Sequence, residues 1–218
     1  PPCGTSTDQV TITSTGGPTT SAAGGDQTVC GTTATLAGNT PTTGTGVWTL
    51  ISGAGTITTP ASPTSGITGL GVGANVFQWT ISSAPCAPST DQVTITGVAA
   101  PTTSAAGTDQ SVCGTTATLA GNTATTGTGT WTLISGTGTI TTPSSPTSGV
   151  TALGIGANVF QWTIANAPCP STTDQVTITR VAPPTVSTAG GDQSVCGTTA
   201  TLNGNTATTG TGTWTLIS

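Results

Sequence analysis

Short runs of β-branched residues recur along the chain, and turn-forming Gly, Pro, Asn and Ser residues separate them. Such runs are typical of β-strands, and no useful window shows a helical period. With a further extended segment before Cys30, the pattern predicts an all-β chain with about seven strands per unit. The other predicted strands of one unit are residues 32–38 (TTATLAG), 46–52 (GVWTLIS), 55–59 (GTITT), 75–82 (NVFQWTIS) and 91–97 (DQVTITG).

Alternation within these runs predicts which side chains form the core. Phe77, Trp79 and Ile81 fall on one face of the 75–82 strand, because successive side chains of a strand point to opposite faces. Trp48 lies on an earlier strand, and we expect it to meet Trp79 in the core. The predicted core aromatics of the two whole copies are Trp48, Phe77, Trp79, Trp131, Phe160 and Trp162.

The chain is built from an internal repeat of 83 residues. The cysteines reveal it in two classes, of which the first is Cys30, Cys113 and Cys196 and the second is Cys3, Cys86 and Cys169. Residues 26–97 and 109–180 are roughly four-fifths identical. A period of this length is too long for one solenoid coil and suits one small β-sandwich per repeat.

Two whole copies of the repeat fit in the chain, at residues 15–97 and 98–180. Residues 1–14 match only the C-terminal end of a repeat, and residues 181–218 match only its N-terminal half. Together these two partial copies lack the counterpart of residues 55–82. We therefore expect a longer native chain rather than completion of one module between subunits.

The composition narrows the classes of function. The chain has one cationic residue, Arg180, against six aspartates, and it has no His, Tyr, Met or Glu. Nucleic-acid binding needs clustered cationic side chains, so it is not expected. Isolated aspartates are the only candidate bases, so we predict no catalytic residues, no cofactor and no enzymatic activity. No apolar run reaches 18 residues, so membrane insertion is not expected either.

The aspartates and cysteines also bear on metal binding. All six aspartates precede Gln, near predicted strand starts, whereas calcium sites combine several clustered oxygen ligands. We therefore favour turn or strand capping over calcium binding. The cysteines show no CxxC spacing, which favours disulfides over a metal site.

The segments AGTDQSVCGTTATLAGNT, GTGTWTLISG, GANVFQWTI and TDQVTIT resemble the PKD-like, Ig-like repeats of very large bacterial surface proteins, including adhesins and gliding-associated proteins. The resemblance covers the whole chain. It implies tandem Ig-like β-sandwiches that act as spacers outside the cell, with no active site.

Two disulfide pairings follow from the order of the strands. An Ig-like path puts Cys30 and Cys86 at opposite ends of one domain, and strands of this length span roughly 23 to 30 Å. Because a disulfide needs Cα atoms within about 7 Å, we favour an interdomain bond between Cys30 and Cys169. An intradomain bond between Cys30 and Cys86 stays open if the topology differs.

Thr-rich segments such as residues 58–65 and 141–148 have two interpretations. Their Thr, Ser and Pro composition is compatible with O-glycosylation. Thr is also β-branched and polar, and it suits exposed strand faces without any glycan. The sequence leaves these two interpretations equally open.

The predicted function is that of a structural spacer in an extracellular filament, stalk or cell-surface fibre, stabilised by disulfides. Its expected partners are neighbouring repeats of the same chain or identical chains in a filament. The alternative is an adhesin module that binds a glycan or a protein partner. Near-identical copies favour the spacer, because a spacer needs the same module many times.

Overall fold

The computed structural model describes residues 3–217, so residues 1 and 2 of the first partial repeat and residue 218 of the last lie outside the described residues. Within the described range the chain forms strands and no helix. It divides into two compact units. The first unit comprises residues 3–101 and 166–170, and the second comprises residues 102–165 and 171–217.

The first whole repeat contains seven strands. They are β1 (Gln27–Cys30), β2 (Ala34–Thr35), β3 (Thr45–Ser52), β4 (Thr56–Ile57), β5 (Gly66–Thr68), β6 (Gly73–Ser82) and β7 (Ser89–Val98). The second whole repeat contains the seven counterparts. They are β8 (Gln110–Val112), β9 (Ala117–Thr118), β10 (Thr128–Ser135), β11 (Thr139–Ile140), β12 (Gly149–Thr151), β13 (Gly156–Asn166) and β14 (Cys169–Arg180).

Each repeat builds one four-stranded sheet and one three-stranded sheet. In the first repeat the strand orders are β1-β7-β6-β3 and β2-β5-β4. The pair β1 and β7 is parallel, with Cys30 opposite Val98, and the other pairs are antiparallel. The second repeat has the orders β10-β13-β14-β8 and β11-β12-β9. The predicted fold class, all-β with sandwiches of about seven strands, is confirmed.

The aromatic residues lie in the core of each repeat. Phe77, Trp79 and Ile81 are buried, and the residues between them on β6 are only half-buried, because the strand alternates. Trp48 on β3 lies opposite Trp79, and their ring centroids are 5.0 Å apart. The second core has the same arrangement, and its buried aromatics are Trp131, Phe160 and Trp162.

Several strand limits differ from the sequence prediction. The run at residues 32–38 forms only the two-residue strand β2. Gly38, at the end of this run, lies close to the core, because a Cβ added there would lie 2.9 Å from the Trp48 ring. The run at residues 55–59 forms only β4. Strand β5 was not predicted, because Pro, Ser and Gly around Ile67 indicate a loop.

The two partial repeats form no strand within residues 3–14 and 181–217. Val10 and Ile12, the counterparts of core residues Val93 and Ile95, are exposed. Trp214, the counterpart of Trp131, is 53% exposed. A search of residues 3–217 finds no helix with the length and apolar character needed to span a membrane.

Candidate functional site

A disulfide joins Cys30 to Cys169, two residues that are 139 positions apart in the sequence. Cys30 is the last residue of β1, and Cys169 is the first residue of β14. Their Cα atoms are 4.9 Å apart. Both cysteines lie in the first unit, because that unit includes residues 166–170. Of the two pairings weighed from the sequence, the structure therefore contains the Cys30–Cys169 bond, and Cys30 is not joined to Cys86.

Both cysteines of the disulfide contact the backbone at the end of β7. Cys30 pairs with Val98 in the parallel ladder, and the amide of Gly31 donates to the carbonyl of Val98. The Cys169 sulfur lies 3.7 Å from the Val98 oxygen and 3.4 Å from the Ala99 oxygen. A disulfide sulfur carries no proton, so these are contacts rather than hydrogen bonds.

Asn166, three residues before Cys169, also bonds to the backbone that follows β7. Asn166 donates through Nδ2 to the carbonyl of Ala99 at 2.8 Å. Cys169 is 8% exposed, so solvent has little access to the bond from its side. The bond is therefore packed against backbone that the β1–β7 pair already orders.

The other four cysteines are free. Cys86 is half-buried in the turn between β6 and β7, and its amide donates to the carbonyl of Ser83. Its sulfur lies 3.7 Å from the carbonyl oxygens of both Thr15 and Gly16. The exposed free cysteines are Cys3, Cys113 and Cys196.

The paired tryptophans stabilise each sandwich and offer no binding surface. The Trp48 indole donates to the Pro63 carbonyl at 3.0 Å, and the Trp79 indole donates to the Asn39 carbonyl at 3.1 Å. Buried indole N–H groups usually need such a partner. Trp131 and Trp162 make the equivalent bonds to Pro146 and Asn122.

The four aspartates of the two whole repeats accept hydrogen bonds from backbone amides, as capping groups do. Asp91 Oδ2 accepts from the amide of Ala23 at 2.7 Å, and Asp26 Oδ1 accepts from the amide of Thr94 at 2.8 Å. Asp174 and Asp109 repeat these bonds in the second repeat. Across residues 3–217, no group of three or more potential metal-ligating side chains of the His, Cys, Asp and Glu types comes together.

Two equivalent buried polar residues, Asn75 and Asn158, were not identified from the sequence. Asn75 is 1% exposed, and the two N–H groups of its Nδ2 point among three carbonyl oxygens that lie 2.9 to 3.1 Å away. Its Oδ1 accepts from the amide of Ala54 at 2.8 Å. Asn158 does the same in the second repeat. A signal was present, because Asn75 has the same parity as Phe77 and Trp79 on an alternating strand. A polar residue on a core face indicates a satisfied buried group.

Among the comparisons with known proteins, only the one with solved structures found similar proteins. No protein-family model matches the chain, and no curated protein sequence matches it. The insect immune protein hemolin, a solved structure, is similar at 12% identity and a TM-score of 0.47, over 75% of this chain and 46% of that chain. Sidekick-1 immunoglobulin domains 1–5 are similar at 13% identity and a TM-score of 0.48, over 79% and 40% of the two chains.

A two-domain fragment, DIP-gamma IG1+IG2, is similar at 15% identity and a TM-score of 0.41, over 77% of this chain and 99% of that chain. The chain thus spans less than half of the hemolin and Sidekick-1 chains. The DIP-gamma fragment and the Sidekick-1 fragment consist of immunoglobulin domains of those proteins.

Proposed function

We propose that this chain is part of an extracellular structural spacer, a filament or stalk made of successive Ig-like repeats with disulfides between them. The observation that carries the proposal is the recurrence of the same internal contacts at an offset of 83 residues. The two tryptophan pairs have the same centroid separation, 5.0 Å, and interplanar angles of 37° and 38°. Selection for identical modules fits a protein whose task is to cover distance.

The Cys30–Cys169 bond supports the extracellular part of the proposal. Disulfides persist in oxidising environments such as the cell surface and are rare in the cytosol. Because Cys30 belongs to one repeat and Cys169 to the next, the bond is a covalent link between successive repeats. Such links restrict the rotation of one repeat against another, which suits a spacer.

Catalysis has no place in the proposed function. The chain contains no His, Lys, Glu or Tyr that could act as a base. Asp26 and Asp91 are occupied as hydrogen-bond acceptors for backbone amides.

The buried tryptophans of the two whole repeats are not accessible for stacking on a sugar ring.

Electron microscopy of the native material tests the proposal. We expect thin filaments with an axial repeat of about 35 to 45 Å, one sandwich length plus its loops. Separate short particles, together with retention of the chain on a glycan array or on a partner protein, would instead favour an adhesin module. An intact mass equal to that of the bare sequence would show that the Thr-rich segments carry no O-linked glycan.

A further inference from the structure

We propose that Cys86 and Cys113 each form a further disulfide of the Cys30–Cys169 kind, and that the partner in each case is a cysteine of another copy of the repeat. Cys86 takes a first-class cysteine, the counterpart of Cys30, and Cys113 takes a second-class cysteine, the counterpart of Cys169. This inference rests on the proposed spacer function and names the partner that the spacer binds covalently.

The observed disulfide and the 83-residue offset together define a rule for which cysteines pair. The observed bond connects the first-class cysteine of one repeat with the second-class cysteine of the next repeat. If successive repeats are joined in the same way, each cysteine has one partner and no two residues compete for it. Cys86 and Cys113 are free in this chain and belong to opposite classes, so the same rule joins each of them to a different neighbour.

The surroundings of Cys86 match those of the bonded Cys169. The Cys86 sulfur contacts the carbonyl oxygens of Thr15 and Gly16, which are 71 and 70 residues earlier. The Cys169 sulfur contacts the oxygens of Val98 and Ala99, at the same two separations. The Cys86 thiol is therefore held against the same backbone positions at which Cys169 meets Cys30.

Cys113 presents the other half. Strand β8 pairs in parallel with β14, as β1 pairs with β7, and Cys113 follows β8 directly. The local sequence is Asp-Gln-Ser-Val-Cys-Gly, against Asp-Gln-Thr-Val-Cys-Gly around Cys30. Cys113 is exposed, so a thiol of another copy can reach it.

The reaction requires an oxidant, because two thiols lose two protons and two electrons when they form a disulfide. Oxidised glutathione supplies it in two exchange steps. The first cysteine thiolate attacks one glutathione sulfur, forms a mixed disulfide and releases one glutathione thiolate. The second cysteine thiolate then attacks the protein sulfur and releases the second glutathione.

Peptide mapping of the full chain after oxidation tests the rule. The chain is incubated with oxidised and reduced glutathione, the free thiols are alkylated, and cross-linked peptides are identified by mass spectrometry. We expect oligomers on a non-reducing gel, linked only between opposite classes, so that Cys86 is joined to Cys113 or Cys196 of another copy. Links between Cys86 and Cys86, or a random distribution over classes, would overturn the proposal.

A longer chain tests whether the partner cysteine can come from a further repeat of the same chain rather than from a second chain. A second copy of residues 98–180 is inserted after Arg180, which supplies a second-class cysteine on the same chain. We expect Cys113 to lose its alkylation and to form an intrachain bond with this cysteine. The matched control replaces the inserted second-class cysteine by Ser, and Cys113 then becomes alkylated again. A Cys113 that stays alkylated in the longer chain, while Cys30–Cys169 is oxidised, contradicts the proposal.

The result is independent of the filament test. If opposite-class links form but native material shows no filaments, the pairing rule stands and the spacer function falls. If filaments with the expected axial repeat are found and their Cys86 and Cys113 counterparts are free thiols, the spacer function stands and the pairing rule falls.

Discussion

The first half of the second whole repeat and the partial repeat that follows it have nearly the same sequence, but their equivalent tryptophans differ in burial. Trp131 is 2% exposed, whereas its counterpart Trp214 is 53% exposed. Trp131 lies opposite Trp162 of β13. Residues 181–217 correspond to residues 98–134, so they contain no counterpart of β13 or β14. Burial of this tryptophan therefore depends on strands that come later in the repeat.

The local hydrogen bonds, by contrast, are the same in both regions. The amide of Thr102 donates to Thr126, and the amide of Thr185 donates to Thr209. The side chains of Asn122 and Asn205 each accept from a backbone amide at 2.8 Å. The first half of the repeat thus forms these turn hydrogen bonds without the second half, whereas burial of Trp131 requires the strands of the second half.

Removal of the indole should give the largest difference between the two regions. We expect Trp131→Ala to cost the second unit about 3 to 5 kcal/mol, because it leaves a cavity against Trp162 and removes a hydrogen bond to Pro146. Hydrogen exchange of the β13 amides measures this loss, with the β6 amides as an internal reference. Trp214→Ala is the matched control and should leave β13 protection unchanged. An equal effect of both variants would contradict the comparison.

A single added methyl group should separate the regions by a smaller amount. A Cβ on Gly129 would overlap the Trp162 indole, whereas a Cβ on Gly212, its counterpart, has nothing within 4 Å. Overpacking of a dense core costs about 1 to 3 kcal/mol. We expect Gly129→Ala to lower the unfolding temperature and Gly212→Ala to leave it unchanged, as measured by calorimetry. An unchanged transition for Gly129→Ala would mean that the Trp162 ring can move aside.

The smallest effect concerns the hydrogen bonds that both regions share. Asn122→Ala removes the bonds to Ala105 and Thr103, and we expect it to destabilise the second unit by about 1 to 2 kcal/mol. Asn205→Ala should change no cooperative unfolding transition. It should only speed up exchange of the Thr188 amide, which donates to Asn205. A global effect of Asn205→Ala would show that the partial repeat is part of a cooperative core.

The sequence was sufficient for those parts of the fold that depend on local pattern. The all-β class and the two tryptophan-bearing strands follow from alternation and β-branched runs, since one buried face imposes a period of two. The 83-residue period shows directly which segments are equivalent. The parallel pairing of β1 with β7 could not be predicted in this way, because it joins residues 68 positions apart whose sequences carry no signal for each other.

The candidate site shows the same limit. Strand lengths and an assumed topology were enough to weigh Cys169 against Cys86 as the partner of Cys30, but not to identify the backbone that holds the bond. The carbonyls of Val98 and Ala99 contact the Cys169 sulfur because β7 ends there. Asn75 begins the predicted strand 75–82, but a polar side chain does not by itself indicate burial. Its parity with Phe77 was the better signal.

The Cys30–Cys169 bond also changes what a protease can do to this chain. Residues 30–169 form a closed ring of covalent bonds, since the disulfide connects its two ends. A single cut anywhere between them opens the ring but releases no fragment, and the residues before Cys30 stay attached to those after Cys169. Two cuts within the ring are needed to release a fragment, and only reduction in addition to a cut separates the residues before Cys30 from those after Cys169.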